Sequence, residues 1–340
     1  MEENKRPIII WLLVGCLLIF SMVIVGGITR LTSSGLSITE WNVIMGTIPP
    51  LHQNEWQQAF EKYQQSPQFQ KINFDMELSQ FKSIFWWEYT HRLIGRFIGI
   101  VFIIPFFYFL FTKKLDNPLI KKLVFIFLLG GLQGFIGWYM VKSGLINNPH
   151  VSHYRLATHL ITAFITYGFT FWIALDLTYA NQNSKFKIQN SKLKLLTTII
   201  LLIVILQVIY GAFVAGLHAG KIYNTFPKMG NEWMPDAVNT MIPYWKNLTE
   251  NLAGVQFLHR GIAWILTVLI FALWFVARKY PLTKPQRGAV NLLMMVLVFQ
   301  FTLGILTLLY AVPITLAVLH QTGAFFLFSS AIFLNHQLRN

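Results

Sequence analysis

Eight separate stretches of apolar residues, each long enough to cross a lipid bilayer, constrain this chain more than any other feature. A helix needs about 20 consecutive apolar residues for a crossing. Stretches of about that length cover residues 8–28, 84–111, 123–141, 156–180, 195–216, 253–277, 289–310 and 314–334. Unpaired backbone is not tolerated in hydrocarbon, and a barrel would show ten-residue alternations, so these are read as helices. The charge content agrees. Only 12% of the 340 residues are charged, against about 25% in soluble domains. The first stretch follows Lys5 and Arg6 like a signal sequence. It is too long for one and lacks an A-x-A cleavage pattern, so it is read as a retained span.

The net charge of +14 is explained by topology and does not call for a nucleic-acid partner. Lys113, Lys114, Lys121 and Lys122 form one basic loop. Lys185, Lys187, Lys192 and Lys194 form a second, and Arg278, Lys279, Lys284 and Arg287 a third. With eight spans, these loops share a side with Lys5, Arg6 and Arg339. The positive-inside rule makes that side cytoplasmic and puts both termini there. The long loops 29–83 and 217–252 are then external. They contain Trp41, Trp56, Trp233 and Trp245, which are expected to fold them over the outer surface. The lone Cys16 excludes an internal disulfide and a cysteine-based metal site.

The chain repeats itself. His91-Arg92, Gln133 with Gly137, and His159 recur as His259-Arg260, Gln300 with Gly304, and His320, at offsets of 168, 167 and 161 residues. The expected fold is an all-α integral membrane protein of eight transmembrane helices in two pseudo-symmetric four-helix bundles, 1–194 and 195–340. Gln133 and the Gly130, Gly131 and Gly134 cluster read as close helix packing.

Ionisable residues inside a membrane are costly and usually functional. His91, His159, His259 and His320 are each expected a turn or two inside the outer end of a helix. Two imidazoles per bundle suit bis-imidazole heme ligation; zinc and copper stand as alternatives. Arg92 and Arg260 follow their histidines directly, placed to meet anionic heme propionates or to snorkel to headgroups. Glu88 lies three residues before His91, where the second repeat has Gln256. That asymmetry suggests chemistry in the first half and a held cofactor in the second. The other reading is a structural carboxylate neutralised by Arg92 or Arg96. His52, His150, His153, His218 and His336 read as peripheral polar residues.

Several motifs resemble those of the heme A synthase family. They are Glu88-Tyr89-Thr90-His91-Arg92-Leu93-Ile94-Gly95-Arg96, Gly26-Gly27-Ile28-Thr29-Arg30-Leu31-Thr32-Ser33-Ser34-Gly35-Leu36-Ser37 and Asn224-Thr225-Phe226-Pro227. Leu258-His259-Arg260 and Leu319-His320-Gln321 belong with them. The resemblance covers essentially the whole chain. It implies an oxidoreductase that converts the C8 methyl of heme O to a formyl group, giving heme A for cytochrome oxidase. It also implies a heme b on His259 and His320, a substrate site between His91 and His159, and Glu88 as the reactive-site carboxylate. Heme O synthase, cytochrome oxidase assembly factors and membrane lipid are the implied partners, with a homo-oligomer left open. Some bacterial members carry a cysteine pair in the first outer loop; this chain resembles the cysteine-free branch. Two rival readings are a diheme b-type cytochrome that only transfers electrons and a heme transporter.

Overall fold

The computed structural model describes residues 5–40, 45–144, 151–179 and 191–339. In chain order the helices are α1 (Arg6–Leu31), α2 (Gln53–Gln64), α3 (Pro67–Lys71), α4 (Leu78–Phe111), α5 (Asn117–Gly144) and α6 (His153–Thr178). Then come α7 (Ser191–Gly216), α8 (Lys246–Thr249), α9 (Leu252–Ala277), α10 (Lys284–Leu309) and α11 (Ile314–Leu338). Among the described residues, eight of these are long and apolar enough to cross a membrane, one for each expected span. Leu17, Phe97, Ile104, Val268 and Phe299 are each more than half exposed. Such outward apolar rows suit lipid, which satisfies them as water would not. The chain is a multi-pass membrane protein.

Local chemistry sets the helix ends. Pro7 opens α1 where a missing N–H costs nothing. The Asn251 side chain accepts from the N–H groups of Ala253 and Gly254 at the start of α9, and Thr283 caps α10 through Gln286. Within the spans, hydroxyls bond back to their own helix. Thr29 donates to the Val25 carbonyl at 2.8 Å, Thr162 to Thr158 at 2.8 Å and Thr307 to Leu303 at 2.7 Å.

The fold divides into two compact units, Met1–Tyr167 and Gly168–Asn340, with the division inside α6. In the first unit, Trp11 of α1 donates to the Val101 carbonyl of α4 at 2.9 Å and packs on Phe102 and Phe109. The first long loop is ordered by α2 and α3, which bury Trp56, Phe60 and Tyr63 against Phe81, Phe85 and Tyr89. This explains why α4 begins six residues ahead of its apolar run. Its first turns leave the span to carry the loop, and His91 lies 13 residues beyond Leu78. The other three histidines lie six or seven residues into their helices. At the start of α2, the Leu51 N–H, then that of His52, hold the exposed Glu55 carboxyl below the usual carboxylate range.

In the second unit, the last turns of α6 pack on α11. Gly168 sits against Ile332 and Phe328, and Asp176 Oδ1 lies 3.2 Å from both His336 Nε2 and Arg339 Nη1. His336 is therefore not peripheral: it is 1% exposed, with its ring edge-on to Trp172. The second long loop is held by asparagines. Asn247 bonds both backbone groups of Met241 at 2.8–2.9 Å, and Asn251 Nδ2 donates to Ala237 at 2.9 Å and to Asn247 Oδ1 at 3.0 Å. Trp56 helps fold its loop as expected, whereas Trp233 and Trp245 are exposed; Trp41, His150, Lys185 and Lys187 lie outside the described residues. Gly130, Gly131 and Gly134 face open space, so they do not mark a close helix contact among the described residues.

Candidate functional site

On α4, residues three and four apart share a face, so Glu88, His91 and Arg92 stand together. Glu88 is 2% exposed. Its Oε2 accepts from the Ser37 hydroxyl at 2.7 Å and the Ile38 N–H at 2.8 Å, and its Oε1 from Arg92 Nη2 at 2.6 Å. Arg92 also donates to the carbonyls of Ile38 at 2.8 Å and Glu40 at 2.9 Å. This buried ion pair ties the start of the first long loop to α4.

The second unit repeats the arrangement without the charge pair. Gln256, also 2% exposed, donates to the Tyr223 carbonyl at 3.1 Å. Arg260 Nη2 donates to the carbonyls of Thr225 at 3.0 Å, Pro227 at 2.7 Å and Lys228 at 3.0 Å. In each unit, then, the residue three before a histidine and the arginine just after it clamp the loop that follows the preceding span. Arg260 Nη1 is buried and has no hydrogen-bond partner among the described residues.

Each of the four histidines packs against a glycine on a neighbouring helix. A Cβ on Gly26 would lie 3.1 Å from the His91 ring and one on Gly137 3.0 Å from that of His159. A Cβ on Gly211 would lie 3.4 Å from the His259 ring and one on Gly304 3.0 Å from that of His320. At Gly26, Gly137 and Gly304 a Cβ would crowd the ring, so glycine serves close approach there and not backbone freedom, whereas at Gly211 the contact would be an ordinary one. Gly26 was named only as part of a family motif, and Gly211 and Gln207 were missed. The signal for the last two was a Gln-x-x-x-Gly spacing at 207–211 that matches 133–137 and 300–304. Gln133 is more than packing: it donates to the His159 backbone carbonyl at 3.0 Å.

The imidazoles come in twos. His259 and His320 have ring centroids 6.4 Å apart and planes at 87°. Metal–imidazole bonds of about 2.0–2.1 Å, with about 1.1 Å from ring nitrogen to centroid, place two opposed rings about 6.3 Å apart across one iron. The spacing fits a bis-imidazole heme. His91 and His159 make the matching pair in the first unit by their places in the repeat. Among the described residues, no group of three or more His, Cys, Asp and Glu side chains is placed to hold a bare metal ion. The Nδ1 atoms of His159, His259 and His320 are buried, with no hydrogen-bond partner among the described residues.

A family model described as cytochrome oxidase assembly protein matches residues 9–332. The chain belongs to this family. It is 52% identical over 338 residues to the heme A synthase of Nitrosospira multiformis, covering 98% of this chain and 94% of the relative. It is 47% identical over 345 residues to the heme A synthase of Flavobacterium johnsoniae, covering 99% of each. It is 41% identical over 345 residues to that of Wolbachia pipientis wMel, covering all of this chain and 96% of the relative. In this cytochrome oxidase assembly protein, then, paired imidazoles, fitted glycines and a buried carboxylate occur together on the spanning helices.

Proposed function

We propose that the chain is a heme A synthase that oxidises the C8 methyl of heme O to a formyl group. The observation that carries this reading is the 6.4 Å, near-perpendicular placement of His259 and His320, beside a first unit in which a carboxylate replaces the amide. His259 and His320 hold heme b, which supplies one-electron transfer when bound. The substrate heme O lies between His91 and His159. Arg260 Nη1, still without a partner, is the donor left for an anionic propionate.

Converting a methyl and one water to a formyl group releases four electrons and four protons. Glu88, one turn from His91, is the group that takes up a proton at Oε1 or Oε2 as the methyl is oxidised. Arg92 Nη2 holds its Oε1 in place, and the Ser37 hydroxyl and Ile38 N–H fix its second oxygen. Gln256 cannot take up a proton in this way, which assigns the chemistry to the first unit and favours an enzyme over a cytochrome or transporter with two equivalent sites. The chain lies in the cell membrane with both termini on the cytoplasmic side, because the basic loops gather there. Extracted heme tests the reading. Membranes that make heme O should accumulate heme A when this chain is co-expressed, and unchanged heme O would refute the assignment.

A further inference from the structure

Three glutamines stand at the same place relative to three of the histidines. Gln133, Gln207 and Gln300 each precede by four residues the glycine that faces His159, His259 and His320, respectively. Gln133 Nε2 donates to the backbone carbonyl of His159 at 3.0 Å and lies 3.4 Å from its imidazole Nε2. Gln207 Nε2 does the same at His259, at 3.0 and 3.5 Å. Gln300 is buried, and its Oε1 lies where a Cβ on Gly323 would be, one turn beyond His320. In all three pairs the glutamine Oε1 and the histidine Nδ1 are buried, with no hydrogen-bond partner among the described residues. The firm bond of each amide is to the backbone carbonyl, so what Gln133 and Gln207 fix is the helix turn that presents the imidazole. At 3.4–3.5 Å the amide makes only a weak contact with Nε2, which iron would replace.

The fourth position differs. His91 faces Gly26, and the residue four before Gly26 is Met22. The Met22 Cε lies 3.3 Å from where a Cβ on Gly95 would sit, one turn beyond His91. A thioether fills the space but donates no hydrogen bond.

We propose that Gln133, Gln207 and Gln300 are positioning residues that brace three ligating histidines, and that Met22 leaves His91 as the ligand that lets go. The inference rests on the proposed ligand assignments and adds which bond exchanges. A resident heme is held more firmly by two imidazoles than by one. A substrate heme must enter and its product must leave once per turnover, so one loose ligand is an advantage. The substrate site has one braced histidine and one unbraced, and the cofactor site has two braced.

The test uses the full-length protein in detergent, with excess apomyoglobin as heme acceptor and carbon monoxide as a probe of an open axial position. Gln207→Leu removes the amide at nearly constant volume. It should speed loss of heme b about 10–100-fold and make the ferrous heme b carbon monoxide-reactive. Met22→Gln should slow release of the first-site heme by a similar factor and leave heme b unchanged. If Gln207→Leu abolishes folding, Met22→Gln alone decides the matter. Unchanged release in Met22→Gln, or an unreactive and equally retained heme b in Gln207→Leu, overturns the brace. Full heme b in both His259→Ala and His320→Ala would overturn the ligand reading beneath it, which separates the two failures.

Discussion

Glu88 Oε1 and Arg92 Nη2 form a buried ion pair at 2.6 Å across one turn of α4. Removing one partner of a buried pair leaves an uncompensated charge, at a cost of about 3–5 kcal/mol. Arg92→Leu should therefore lower the thermal midpoint of the detergent-solubilised protein clearly. Arg92→Lys, which keeps the charge but not the forked donor geometry, should lower it less. Equal midpoints for Arg92→Leu and wild type would mean that the pair contributes nothing to stability.

Glu88→Gln keeps size and hydrogen bonding but removes the ionisable group. Heme A formation should fall about 10²–10⁴-fold. Heme O or its alcohol should accumulate, while the heme on His259 and His320 stays, since both ligands lie in the other unit. Chromatography of extracted heme measures the first effect and the visible spectrum the second. Near wild-type heme A output would reduce Glu88 to its structural part, holding Ser37, Ile38 and Arg92.

On the proposed ligand assignment, His259→Ala or His320→Ala should each remove the low-spin signature of the heme proposed for the second unit, because only one imidazole would be left to hold it. The reduced-minus-oxidised spectrum and the heme-to-protein ratio report it.

Gly304→Ala places a Cβ 3.0 Å from the His320 ring, so the imidazole must shift. Such overpacking typically costs about 1–3 kcal/mol, and heme b occupancy should fall with it. Gly134→Ala is the control: beyond its own stretch of helix, no atom of the described residues lies within 4 Å of its Cβ position. It should leave heme content unchanged and the thermal midpoint equal or higher, since alanine is favoured over glycine in a helix by about 1 kcal/mol. Equal heme loss in the two variants would dissociate the glycine from the histidine.

Topology is checked with single cysteines in a Cys16→Ser background. An impermeant thiol reagent should label Glu232→Cys from outside intact cells and Lys279→Cys only after lysis. Labelling of both from one side would sink the proposed orientation.

The eight spans were legible in the sequence because hydrocarbon leaves a polypeptide few choices: a long apolar run without water must be helical. The four histidines and Glu88 stood out for a related reason, since each is a polar group where polarity is expensive. Sequence spacing also placed Glu88 and His91 on one face of α4, because neighbours on a helix are fixed by its pitch. Which helix faces which is not a local property. Only the tertiary structure decided that Gly26 meets His91 and Gly211 meets His259, and that Gln133 reaches the His159 backbone. It also decided that the Glu88 carboxylate is shared among Arg92, Ser37 and Ile38, and that Trp56 packs into the loop cluster while Trp233 does not. Apolar helix faces are chemically alike along their length, so the pattern of hydrophobic residues does not select a neighbour. Close packing of small against large side chains and a few directed hydrogen bonds make that choice.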